Sequence, residues 1–439
     1  MAVAGLVAAA CGGGGGDDDG SSASAIGDLD REYADVLVLV IDDVQEFWGV
    51  QMPEVYDQEY DELPEENVVP YTSETDIDDL GECGEGLTYE DVADNASYCR
   101  ADDHIVWDDE TLFPELYENY EEFALALALV HEWGHYIQKQ VEYAEEGVVR
   151  ETQADCFAGA WAGWIADGSS ELLDMDPGDL DNGVAGMLEV RDPVGFDPEA
   201  ENAHGSGFDR VAAFQSGFEG GAETCRDWDP DIVAMPFDQG NQEEIESAGN
   251  LDFDELVPTT TEDLALFWED TVDGYESPSD VIAYDVEEED TLPECGSADL
   301  SADDLENEVF YCPPDDFVAY DEPFLERVYE DEDERGGKRF GDFGPAMLIA
   351  NAWAESIQVQ LDTGTDDLQL DCFVGLWAGT VPPRSERDAT FSYSPGDLDE
   401  VIAAFLQFAD RDEDADDVFE RVQSLRVGFV AEGDLDACA

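Results

Sequence analysis

Positive charge is nearly absent from this sequence. Its 439 residues hold 16 lysines and arginines against 114 aspartates and glutamates, a formal net charge of -98, and only Lys139 and Lys338 are lysines. Such a field excludes nucleic acid and anionic membrane surfaces as partners. Long apolar runs are missing too: no stretch reaches the roughly 18 residues that a membrane span needs. No CxxC pair and no DxDxDG loop occurs, which argues against four-cysteine zinc sites and against a calcium-loop protein. What is present is 43% hydrophobic residues with 11% aromatics, ample for packed cores. The length favours two domains. Carboxylates spread along the whole chain repel strongly in dilute buffer and far less near 1 M salt, since the Debye length is about 8 Å at physiological ionic strength and about 3 Å at 1 M. The acidity therefore reads as adaptation to high salt.

The chain opens "MAVAGLVAAACGGGGGDDDGSSAS". Small apolar residues lead to Cys11, and a Gly/Asp/Ser-rich linker follows. This resembles the end of a bacterial lipoprotein signal, in which Cys11 becomes the lipidated residue, although no basic stretch precedes it. The expected location is extracytoplasmic, anchored through Cys11 or secreted.

Self-comparison reveals a tandem repeat. "ETQADCFAGAWAG" at 151–163 returns as "DLQLDCFVGLWAG" at 367–379, and each is followed by "PGDLD", at 177–181 and 395–399. Upstream, "ECGEGLTYEDVADNASYC" from 82 answers "ECGSADLSADDLENEVFYC" from 294; downstream, "RVAAFQSGFEGGAETC" from 210 answers "RVQSLRVGFVAEGDLDAC" from 421. Four matches in one order indicate duplication. The expected organisation is a leader over 1–29, a first copy over 30–225, a linker over 226–259 that partly completes the first copy, and a second copy over 260–439.

The copies place eight cysteines in register and leave Cys11 apart. Within each copy three pairings are open. Taking the short loops first favours Cys83 with Cys99, Cys156 with Cys225, Cys295 with Cys312, and Cys372 with Cys438. Such bonds imply an oxidising compartment. Apolar spacing predicts helices over 30–48, 119–142 and 150–166, and short strands at 104–107 and 317–320. The fold class expected is α+β, mainly helical, with a small sheet in each copy.

"VHEWGHYIQKQ" at 130–140 sits in the long helix. Residues four apart share a helix face, so His131 and His135 can aim two imidazoles at one cation. Glu132 reaches the same mouth and can take a proton from a water held there. This HExxH spacing is that of zinc hydrolases. With four histidines in 439 residues, chance supplies about 0.01 such patterns. A third ligand is Glu151, where a turn around "EEGV" at 145–148 returns the chain as a helix. Its alternative role is charge complementarity at that helix's N-terminus. Asp155, four residues on, can accept the outer ring N–H of a liganding histidine.

Together "HEWGHYIQ", "ETQADCFAGAWAG" and "HGSGFDRVAAFQSGFEGGAETC" resemble the neutral zinc metallopeptidases of bacteria, a zincin-like group written HExGHxxQ, ExQADCxAG and HGxxxxRxxxFxxG. The resemblance covers about 80 to 225. It implies one zinc ion held by His131, His135 and Glu151, with Glu132 as general base in peptide hydrolysis, and two tandem zincin-like repeats.

Opposite "VHEWGHYIQKQ" the second copy has "ANAWAESIQVQ", so Asn351, Ala352 and Glu355 stand at the places of His131, Glu132 and His135, and Asp367 at that of Glu151. The expectation is a metal-free copy that supports the active one, shapes its cleft or binds a partner. His204, in the loop "AHGSG", is a candidate oxyanion donor or a structural histidine. His104 is expected on the surface before a strand whose edge an extended substrate can join. The rival function is a non-catalytic envelope binding or scaffold protein with a relic zinc site. Hydrolysis of a non-peptide amide would use the same residues.

Overall fold

The computed structural model describes residues 7–8, 26, 29–200, 202–298, 300–331, 340–381, 391–408, 418–431 and 433–439. Cys11 lies outside them. The fold is mainly helical with small sheets. It divides into two compact units, Met1–Asp192 with Pro198–Val233, and Pro193–Asp197 with Ala234–Ala439.

In the first unit α1 (Ala34–Tyr56) precedes a three-stranded sheet of β1 (Val68–Tyr71), β2 (Ala96–Cys99) and β3 (His104–Asp108). Strand β3 is central, parallel to β1 and antiparallel to β2. Both its edges are therefore occupied, and an extended substrate cannot join it, contrary to the expectation for this strand. His104 opens β3, where the strand expected at 104–107 begins. It is partly buried, with Nδ1 3.3 Å from Asp102 Oδ1.

Four helices complete the unit: α2 (Leu112–Gln140), α3 (Val148–Ala166), α4 (Pro177–Glu189) and α5 (Gly207–Arg226). Helix α2 begins earlier than the expected 119 and breaks at Glu121, whose φ is 60° and ψ -163°. The apolar stripe "FALALALV" that follows is buried, which seats the next turns of the helix against the core. Gly147, with φ 61°, reverses the chain and opens α3. Helices α2 and α3 meet where Gly134 faces Ala154: a methyl on Gly134 would lie 2.9 Å from the Ala154 Cα. Helices α3 and α5 touch backbone to backbone, since a methyl on Gly159 would come 1.9 Å from the Phe214 carbonyl oxygen. The Cys156–Cys225 disulfide closes the same pair of helices, and Cys83–Cys99 staples the sheet region.

The second unit has the same order of elements. Helix α6 (Phe253–Thr271) precedes β4 (Asp280–Tyr284), β5 (Val309–Cys312) and β6 (Phe317–Asp321), with β6 central, parallel to β4 and antiparallel to β5. Helices α7 (Glu322–Glu330), α8 (Phe343–Leu361), α9 (Asp367–Ala378), α10 (Asp397–Phe408) and α11 (Val418–Val430) follow. Gly375 meets the Leu425 carbonyl oxygen as Gly159 meets that of Phe214, a methyl there coming within 2.0 Å. Disulfides Cys295–Cys312 and Cys372–Cys438 repeat the first unit's pairing. Two buried indole N–H groups at equivalent places are satisfied alike: Trp161 donates to Asp43 at 2.7 Å, and Trp377 to Asp263 at 3.0 Å.

The stretch 226–259 is not a free linker. Trp228 Nε1 donates to Thr152 Oγ1 at 3.0 Å and so completes the first unit. From Ala234 onward the chain belongs to the second, where the Leu251 amide donates to Asp342 at 2.6 Å and α6 has begun by Phe253.

Candidate metal centre

His131 and His135 stand on one face of α2, and Glu151 comes in from the first turn of α3. Glu151 Oε2 lies 3.3 Å from His131 Nε2 and 3.2 Å from His135 Nε2. One ligand atom from each of the three residues falls within 4.8 Å of the others. Two ligand atoms each about 2.0–2.1 Å from a tetrahedral zinc sit roughly 3.3–3.4 Å apart. The observed spacings are those of a tetrahedron's edge, so the residues fit the ion.

The imidazoles are also held at their outer nitrogens, with each Nε2 turned toward Glu151. His131 Nδ1 donates to Asp155 Oδ1 at 2.7 Å. Gln138 Nε2 donates to the Arg150 carbonyl at 2.6 Å, which leaves Gln138 Oε1 facing His135 Nδ1 at 2.9 Å, where it accepts the ring N–H. Each outer ring nitrogen thus carries its proton, so that with a metal bound each Nε2 would present its lone pair to the ion. Glu132 is buried, 8% exposed, one residue from His131 and outside the group of three. Its charge acts on both His135 and Arg210.

The carboxylates of the group favour positive charge on the imidazoles. Burial disfavours a charged His131, but Asp155 and Glu151 outweigh it and push its pKa up to about 10. His135 shifts up by the same balance, burial opposing and Glu151 prevailing. Burial likewise opposes ionisation of Glu151 and Asp155; the imidazoles hold Glu151 well below the usual range, and Arg210 with His131 holds Asp155 at about 2. Without a metal, protons on the histidines neutralise these carboxylates. With one, those protons must leave, so metal uptake releases acid.

Two participants stand in the quoted motifs, as the Q of HExGHxxQ and the R of HGxxxxRxxxFxxG, but were given no role by the sequence reading. Arg210 on α5 forks onto Asp155, Nε to Oδ2 and Nη2 to Oδ1, both at 2.9 Å. Gln138 is the other. The usable signal was in the duplication: both recur, as Arg421 and Gln358, and arginine is rare in this chain. His204 is not among the ligands; its side chain is half exposed and its Nδ1 lies 3.4 Å from Asp192 Oδ1.

At the equivalent place in the second unit the frame persists around other side chains. Arg421 forks onto Asp371 at 2.7 and 2.9 Å, Gln358 donates to the Asp366 carbonyl at 2.7 Å, and Asn351 Nδ2 donates to Asp371 Oδ1 at 3.3 Å. Glu355, where His135 stands in the first unit, is pushed up to about 7 by burial and by Asp367. Its unfolded value is near 4.5, so the native state holds this proton while the unfolded chain loses it. The favourable contribution is complete below pH 4.5 and lost as pH rises to 7. In urea melts Glu355→Gln should therefore stabilise the protein at pH 8 by roughly 2–3 kcal/mol and leave it unchanged near pH 4. Equal effects at both would contradict a neutral buried Glu355.

A further group of three among the described residues is Asp342, Asp397 and Glu400, all buried in the second unit. Burial, with Asp397 and Asp342, pushes Glu400 well above its usual range. An all-oxygen set of this kind suits hard cations rather than zinc. No protein-family model, no curated protein and no solved structure matches the chain.

Proposed function

We propose that this chain is a zinc-dependent peptidase of the zincin-like neutral metallopeptidase kind, built from two copies of one repeat of which the first carries the active site. The observation that carries the reading is Glu151 Oε2 lying 3.2–3.3 Å from both Nε2 atoms beside a buried Glu132. His131, His135 and Glu151 hold the ion, and Asp155 and Gln138 fix the rings. Bound there, zinc lowers the pKa of a water toward about 7 and polarises the scissile carbonyl. Glu132 takes the proton of the attacking water and delivers it to the leaving amine.

The rival, a binding or scaffold protein with a relic zinc site, draws on the second unit, which keeps the packing without the ligand set. Against it stands Glu132: a purely structural site closes its coordination sphere and has no use for a free carboxylate beside it.

The four disulfides support an extracytoplasmic location, and no described helix is long and apolar enough to cross a membrane. A lipid anchor at Cys11 and a high-salt environment belong to this proposal. The test is hydrolysis of a peptide library by the oxidised protein in molar salt. Cleavage abolished by a zinc chelator and restored by zinc is expected; a protein that binds one zinc and cleaves nothing is the scaffold.

A further inference from the structure

We infer that Arg210 is a positioning residue of the metal centre, acting through Asp155 on His131; this rests on the zinc reading above. The guanidinium is 5% exposed, and three of its nitrogens are engaged, Nη1 donating to the Val190 carbonyl at 2.8 Å and the other two gripping both oxygens of Asp155. Asp155 is wholly buried and accepts His131 Nδ1–H on Oδ1, the oxygen that also receives Arg210 Nη2. Nη2 and Nδ1 lie 3.4 Å apart, two donors converging on one acceptor rather than bonded to each other.

The fork does what Asp155 alone cannot. A carboxylate held by one hydrogen bond is free to rotate and to take the cation itself, whereas bidentate pairing to Arg fixes its plane. Arg210 holds Asp155 turned so that Oδ1 meets His131 Nδ1 and His131 offers Nε2 to the ion.

The second unit supplies the control. Arg421 grips Asp371 in the same way, but the side chain that stands at the place of His131 and donates to Asp371 is the Asn351 amide. Both forks support their helices; only one supports a metal ligand. The readouts are zinc affinity by chelator competition and the visible spectrum of the cobalt(II)-substituted full chain, in molar salt. Arg210→Met should weaken zinc by roughly 10- to 100-fold and alter the cobalt bands, Arg210→Lys should fall between it and the parent, and Arg421→Met should change neither, though urea melts show a comparable loss of stability. Wild-type affinity with an unchanged cobalt spectrum in Arg210→Met, or in Arg210→Lys should the methionine variant not fold, overturns the inference; so does an equal weakening in Arg421→Met. A parent protein that takes up no zinc removes the metal reading as well. One that binds zinc but cleaves no peptide removes only the peptidase, and the Arg210 comparison still decides.

Discussion

Glu132→Gln is expected to keep its zinc and lose turnover by roughly 10²- to 10⁴-fold, the usual worth of a positioned general base. The substitution preserves size and leaves His131, His135 and Glu151 untouched, because Glu132 is not among the residues whose atoms converge on one point. An amide cannot accept the water's proton at neutral pH. Since Glu132 is buried among charged partners, replacing it also removes one negative charge from the site, and zinc affinity should fall only slightly. The informative measurement is therefore paired: zinc content and kcat on the same preparation. Undiminished turnover at full zinc occupancy would remove Glu132 from the mechanism and leave the metal site without a base. Loss of zinc together with activity would show a fourth ligand instead.

The parts of this site that the sequence displays are those fixed by local geometry. Two imidazoles four residues apart need only a helix to converge, and the small residues of "ADCFAGAWAG" need only a neighbour to permit close approach. Cysteine pairing followed loop length. What the sequence hides depends on elements far apart in the chain. Arg210 reaches Asp155 across 55 positions, and although each is a letter of a quoted motif, nothing in the sequence pairs the two. Strands β1 and β2 were missed because each has four residues, one holding Pro70 and the other without alternating polarity, so neither offers a period-two signal. The break at Glu121 involves neither glycine nor proline and had no local warning. The run 242–247, which falls in the stretch read as linker, forms a short helix ahead of α6 that its six residues did not announce.

The duplication makes the two halves informative about each other. Where side chains recur, as with the Arg–Asp forks, the tryptophan–aspartate bonds and the glycine contacts, the common cause is packing. Where they diverge, at 131, 132, 135 and 151, the packing tolerates either set. His131, Glu132, His135 and Glu151 are thus not required by the frame that surrounds them, and a buried Glu151 between two histidines calls for an explanation outside folding.

That explanation is tested most directly at Glu151. The parent should take up one zinc per chain, and Glu151→Ala should lose it, with affinity falling by at least about 100-fold, more than loss of an outer-shell partner brings. The change removes one of three protein ligands and the only anion among them, leaving two imidazoles with no carboxylate between them. Arg150, which donates to Glu151 Oε1 at 2.8 Å, is about a third exposed and can turn to solvent, so the loss of that pair costs little. If Glu151 served only as a favourable charge in the first turn of α3, the variant would lose about 0.3–1 kcal/mol of stability and bind zinc as before. Excess magnesium during the titration keeps the carboxylates of Asp342, Asp397 and Glu400 from contributing to the count. Zinc affinity and the urea midpoint, measured together on Glu151→Ala and Glu151→Gln, separate the two causes: a metal ligand changes the first far more than the second.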